Sequence, residues 1–135
     1  MFEAGWVRFV EEPVRLRRRL PPELDGLRIA HLSDFHLGVP SRGTRAVERA
    51  VAWVERRQPD LTLISGDLLS RPSGEGRLRE LVERLPRAFA VLGNHDYAVS
   101  KDPFSRPAEL TDLSPARLLA DEAETVEIRG RRVQV

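Results

Sequence analysis

The sequence predicts an α/β domain built on a parallel sheet, and three observations predict it. Short apolar runs at residues 27–32, 61–64 and 89–92 recur at roughly 30-residue intervals, the rhythm of βαβ units. The stretches between them place apolar residues at helical spacing. Each apolar run also ends in polar, chemistry-bearing residues: Asp34 and His36 after the first, Gly66-Asp67 after the second, and Gly93-Asn94-His95-Asp96 after the third. Alternating strands and helices imply right-handed crossovers. In such sheets ligands bind beyond the carboxyl ends of the strands, which is where all three polar clusters fall.

Composition sets the outer limits. With 135 residues, 41% of them hydrophobic and 32% charged, the chain suits a single domain with a buried core. There is no cysteine, so disulfides and thiolate metal sites are excluded, and any metal must be held by His, Asp, Glu or Asn. A net charge of +1 gives the whole molecule no pull toward nucleic acid or acidic membranes. The first ten residues include Glu3 and Arg8 and lack the apolar core of a targeting signal. No stretch approaches the roughly 20 apolar residues that span a bilayer. The expected location is cytoplasmic, with peripheral membrane contact open.

Each element can be justified in order. Residues 1–22 read as an N-terminal strand segment: Val14-Arg15-Leu16-Arg17 alternates like an edge strand with one wet face, Arg18-Arg19 extend the charge, and Pro21-Pro22 end it. The Arg15–Arg19 cluster is read as a solvated face, with an anionic-lipid or substrate-phosphate patch as the alternative. It is too short, and too poor in aromatic residues, for a nucleic-acid groove. Residues 23–98 form the βαβαβ core. Its first strand, 27–32, is apolar apart from Arg28 and His31, and its Ile and Leu content suits a strand covered on both faces. Buried within it, His31 is expected to be a hydrogen-bonded structural histidine. After a polar loop at 38–43, Ala46, Val47, Ala50, Val51 and Val54 mark one helix face, and that helix stops before Pro59. Residues 61–64 form the second strand. A loop at 70–76, broken by Pro72 and two glycines, leads to a helix with Leu78, Leu81, Val82 and Leu85 inward, closed by Pro86. Residues 89–92 are the third strand. Trp6, Trp53 and Phe89 suit core or interface positions. In residues 99–135 the Pro-rich stretch through Leu113 suits a loop over the site. Ser114-Pro115 reads as the start of a short helix to Ala120. A hairpin follows, 125–128 and 132–135 about Gly130, its second strand cut short.

The phrases Leu32-Ser33-Asp34-Phe35-His36-Leu37-Gly38, Ser65-Gly66-Asp67-Leu68 and Leu92-Gly93-Asn94-His95-Asp96, in this order and spacing, closely resemble the calcineurin-like metallophosphoesterases. Their wording, with the lead-in Leu24-Asp25-Gly26-Leu27-Arg28-Ile29, is most similar to the branch of YkuE-type and UDP-2,3-diacylglucosamine pyrophosphatase-like proteins. Taken singly, these carboxylates and amides would serve as helix caps or Asx turns. Three motifs together are a specific signal. The resemblance implies a β-sandwich flanked by helices, of which this chain holds the N-terminal βαβαβ half and a hairpin. A single, C-terminally truncated domain is the expectation.

The resemblance also implies the chemistry. Two residues apart in an extended segment, Asp34 and His36 could grip one metal. Asp67 would bridge two ions, and Asn94 would offer a carbonyl oxygen to the second. Two divalent metal ions, Mn, Fe or Zn, are therefore implied, held by Asp34, His36, Asp67 and Asn94. His95 would meet the phosphate and protonate the leaving oxygen, with Asp96 holding its tautomer. The implied reaction is hydrolysis of a phosphoester or pyrophosphate, with a phosphorylated small molecule or nucleotide-linked lipid as substrate. Complete members add histidines from a later strand and a Gly-His-x-His turn, whereas this chain has only His31, His36 and His95. Full metal occupancy would then call for a complementary C-terminal chain or a second copy. A non-catalytic, protein-binding derivative of the fold is the alternative. The third strand and the hairpin would also leave apolar edges to be covered.

Overall fold

A computed structural model describes residues 7–39, 43–97, 106–107 and 110–135. Four parallel strands lie side by side in chain order: β1 (Ile29–Ser33), β2 (Leu61–Ser65), β3 (Ala88–Val91) and β4 (Arg117–Leu118). The helix α1 (Thr44–Arg57) joins β1 to β2, and α2 (Glu75–Val82) joins β2 to β3. Strands added in one direction through right-handed crossovers carry their helices on the same face.

The helix-face core confirms the periodicity. From α1 it takes Val47, Val51 and Val54, from α2 Leu78, Leu81 and Val82, and from the sheet Ala30, Ile64, Ala88 and Ala90. Each fully buried valine or leucine contributes roughly 1.5–3 kcal/mol relative to exposure. Helix α1 ends as expected, because Gln58 turns left-handed (φ 45°) just before Pro59. Across the helix pair Arg77 meets Glu48, and Arg84 lies 2.7 Å from Glu55.

The opposite face is covered by an antiparallel hairpin, β5 (Thr125–Ile128) and β6 (Arg131–Gln134). Its Ile128 packs with Leu24, Leu61 and Phe89, and Leu63, Val126 and Val133 border that cluster. Both turn residues, Arg129 and Gly130, have positive φ (51° and 74°), the twist that matches a two-residue hairpin. Strand β6 is not cut short: all four residues of β5 are paired, and Val135 exchanges two backbone hydrogen bonds with Glu124.

Several expectations are corrected. Residues 14–17 form no strand: they pair with none of the described strands, and Val14 and Leu16 are 80% and 58% exposed. Strand β1 is covered on one face only. It is the outermost strand, and the hairpin reaches β2 and β3, so Ile29 and His31 remain exposed. His31 is thus not buried, although its Nε2 lies 2.7 Å from Ser65 Oγ. The loop expected at 70–76 is shorter: a 3₁₀ turn at Pro72–Gly74 runs straight into α2, which takes in Gly76 and ends at Val82.

The helix expected from Ser114 is absent. Asp112 Oδ1 accepts both the backbone N–H and the hydroxyl of Ser114, and Arg117-Leu118 pair with Phe89-Ala90 as β4. The free edge of β3 offers hydrogen bonds and a core site that a helix of five or six residues could not match. The edge of β3 is therefore covered. Trp6, residues 40–42 of the 38–43 loop and much of the Pro-rich stretch lie outside the described residues. Phe89 is core, and Trp53 stacks on Phe9 with ring centroids 5.1 Å apart.

Candidate metal centre

The three polar clusters meet at the carboxyl edge of the sheet because the pairing of β1, β2 and β3 continues into the loops. The backbone N–H groups of Asp34, His36 and Leu37 donate to the carbonyls of Gly66, Asp67 and Leu68, and Gly66 N–H donates to Val91 O. Phe35, Leu37, Leu68 and Leu69 are buried beneath. Apolar residues alternating with Asp34, His36 and Asp67 drive the polar side chains to the upper surface.

Asp34 and His36 converge, but not from an extended segment. Both have positive φ (58° and 47°), as does Asp67 (53°). Side chains other than glycine seldom adopt this region, and such residues gather at functional sites. Asp34 Oδ1 lies 3.8 Å from His36 Nε2. One ligand atom each from His36, Asp67 and His95 lies within 4.8 Å of the others. The His36 and His95 rings meet edge to face, with centroids 4.6 Å apart. A cation with bonds of about 2.1 Å holds donors roughly 3.0–4.2 Å apart, so these groups need only a small contraction to share an ion. Oxygen and imidazole donors suit Mn, Fe or Zn. His36 and Asp67 fall together. His95, expected to stand off from the metal, belongs to the same cluster, whereas Asn94 is an exposed residue of the turn just before it.

Neighbouring groups fix these side chains. Asp67 Oδ1 accepts the His95 backbone N–H at 3.0 Å, tying the loop after β2 to the turn after β3. Gly93 makes this approach possible: a Cβ there would overlap Asp67 Oδ1 and its backbone nitrogen, and would lie 2.9 Å from its Cγ. The carboxylate of Asp96 is fully buried and accepts the N–H groups of Leu68, Leu69 and Gly93. Ser70, buried and overlooked in the sequence, places its Oγ 3.2 Å from His36 Nδ1, leaving Nε2 directed at Asp34. The signal that could have found it is its position three residues after Asp67, on the loop that pairs with the one carrying His36. Beside Asp34, a groove of about 380 Å³ runs between Arg8, His31, Ser33 and Val47.

Comparison with known proteins gives the chain's relatives. The family model described as calcineurin-like phosphoesterase matches residues 27–130. A zebrafish (Danio rerio) transmembrane protein with metallophosphoesterase domain is 43% identical over 94 residues, 65% of this chain and 20% of its own length. A UDP-2,3-diacylglucosamine pyrophosphatase from Chlamydia muridarum is 37% identical over 65% of this chain and 30% of its own. A protein named as a probable cyclic nucleotide phosphodiesterase, from Synechococcus, is 42% identical over 64% and 34%. The chain thus spans between a fifth and about a third of these relatives' lengths.

Proposed function

This chain belongs to the calcineurin-like phosphoesterase family, and we propose that it supplies part of a dinuclear metal site hydrolysing a phosphoester or pyrophosphate bond. The observation that carries this reading is the convergence of His36, Asp67 and His95 within 4.8 Å, with Asp34 3.8 Å from His36. Those residues come from three separate loops at one edge of a parallel sheet, where ligands of such sheets bind.

In this reading Asp34, His36 and Asp67 would hold one ion, and Asp67 and Asn94 would hold the second. When bound, the metals supply Lewis-acid stabilisation of the charge that develops on the phosphoryl oxygens. His95, beside the ligands, protonates the leaving oxygen. Asp96 acts on it through the backbone, holding the turn that carries the imidazole against the loop of Asp67. The proposed substrate is a phosphodiester or pyrophosphate with a nucleotide-linked lipid as its fullest form, the class named for the chlamydial relative. In this reading the protein works in the cytoplasm at a membrane surface. No helix among the described residues is long and apolar enough to cross a membrane.

Two measurements on one sample test the assignment: bound Mn or Zn per chain, and turnover of bis-p-nitrophenyl phosphate. His95→Ala is expected to lower turnover by roughly 10²–10⁴-fold, the usual weight of a general acid, with metal content nearly unchanged. Asp67→Asn should remove both. If His95→Ala releases the metal as completely as Asp67→Asn, His95 is a ligand and its assigned role is wrong. Failure of the unaltered chain to retain either ion overturns the whole assignment.

A further inference from the structure

We propose that residues 10–20 form an interfacial strip that seats the protein on an anionic lipid surface. This deepens the membrane-surface location proposed above and does not depend on phosphoester hydrolysis.

The strip is held at both ends and free between them. On one side Phe9 stacks on Trp53, and Glu11 lies 2.8 Å from Arg57 on α1. On the other, Leu24 is buried in the hairpin-side core. From 10 to 20 the backbone adopts neither helix nor strand, and every side chain is exposed. Large apolar side chains are concentrated here: Val10, Val14, Leu16 and Leu20 are 52%, 80%, 58% and 43% exposed. Soluble surfaces seldom gather exposed apolar groups in this way without a partner.

Charge identifies the partner. Arg15, Arg17, Arg18 and Arg19 stand among these apolar residues, with no acidic residue from 13 to 22. Among the described residues, none of the four meets a carboxylate, although Arg57, Arg77, Arg84, Arg129 and Arg131 each do. Glu11 and Glu12 lie at the other end of the strip, Glu11 paired with Arg57, so positive charge is concentrated at residues 15–19. Arginine stems lie along apolar surface while their guanidinium groups reach phosphate, and valine and leucine enter the headgroup boundary. A nucleic acid would meet the same charges, but the strip offers no aromatic ring on which bases could stack.

Co-sedimentation of the 135-residue chain with vesicles tests the proposal. Vesicles of phosphatidylcholine alone are compared with vesicles containing about one-third phosphatidylglycerol, at low and high salt. Binding is expected only to the anionic vesicles and is lost at high salt. An arginine near such a surface raises partitioning roughly fivefold. The double variant Arg17→Gln/Arg18→Gln should therefore bind roughly 30-fold more weakly, and Val14→Ser/Leu16→Ser should weaken binding by roughly tenfold or more. Circular dichroism and metal binding should be unchanged in both variants, so loss of the strip is separable from loss of the fold or of the metal site. Equal binding to both vesicle types overturns the proposal, as does binding insensitive to the arginine change. Release of the protein from vesicles by a DNA duplex, with no effect of the valine and leucine changes, would make the strip a nucleic-acid contact instead.

Discussion

Asp34, His36 and Asp67 stand in a backbone region that costs a residue other than glycine about 1–3 kcal/mol, and the surroundings compensate. Buried Phe35, Leu37 and Leu68 pin the intervening positions, and backbone hydrogen bonds link the two loops rung by rung. Gly93 is the narrowest point of this arrangement, because Asp67 occupies the space its side chain would take. Gly93→Ala is expected to destabilise the protein by about 1–3 kcal/mol through overpacking and to weaken metal binding by displacing Asp67. Gly76 is the internal control: it lies in α2, where an added Cβ would meet nothing within 4 Å, so Gly76→Ala should be neutral or stabilising by about 0.5–1 kcal/mol. Thermal unfolding and a metal titration of the two variants separate them. Equal behaviour of both would refute the packing argument. At this scale the ligand types were legible in the sequence because they stand in compact motifs. Their backbone conformation was not, since it is imposed by the neighbouring loop, and neither was Ser70, which meets His36 only after β1 and β2 pair.

Elements were legible where one local pattern decided them. Helix α1 and the strands β2 and β3 bury what their spacing dictated, and the hairpin follows from Arg129-Gly130 between alternating residues. Residues 14–17 and 114–120 were misread for a shared reason: local propensity was right, but pairing with a sheet edge decided the outcome. The first is not laid along the outer edge of β1, and the second pairs with β3. What fixes the hairpin to the rest of the chain is also non-local. Arg129 makes two hydrogen bonds to the Asp60 carboxylate, at 2.8 and 3.0 Å, and another to Asp25 O, while Asp60 also accepts Arg28 N–H. Burial alone would push the Asp60 carboxyl up, but the Arg28 N–H and the Arg129 guanidinium outweigh it and hold it below the ordinary carboxylate value. A depressed carboxyl contributes stability above its unfolded-state value, and that stability is lost as pH falls through the folded-state value. Asp60→Asn should therefore be less stable at neutral pH by about 1–3 kcal/mol. The deficit should shrink toward zero at acid pH, as the pH falls through the lowered folded-state value. Urea unfolding at the two pH values reads this directly; a deficit independent of pH would mean that the amide disturbs packing, not charge.

For the molecule as a whole, the candidate site is also a clasp. Its side chains come from loops that follow β1, β2 and β3, and the unfolded chain has no means of bringing Asp34, Asp67 and His95 together. An ion that binds the folded state alone stabilises it by mass action, by about 2.7 kcal/mol at a hundredfold excess over Kd. For a chain of this length each kcal/mol moves the melting temperature by roughly 3–6 °C, so saturating Mn or Zn should raise it by roughly 8–15 °C, and a chelator should reverse the rise. The size of the effect should follow the number of loops each residue connects. Asp67 touches the loop after β1 through its carbonyl and the turn after β3 through its carboxylate, so Asp67→Asn should abolish nearly all of it. Asp34, with a side chain 65% exposed and only one neighbouring loop, should leave a reduced rise when changed to Asn. A melting temperature indifferent to both ions would mean that three loops merely lie side by side, and the case for shared coordination would fail with it.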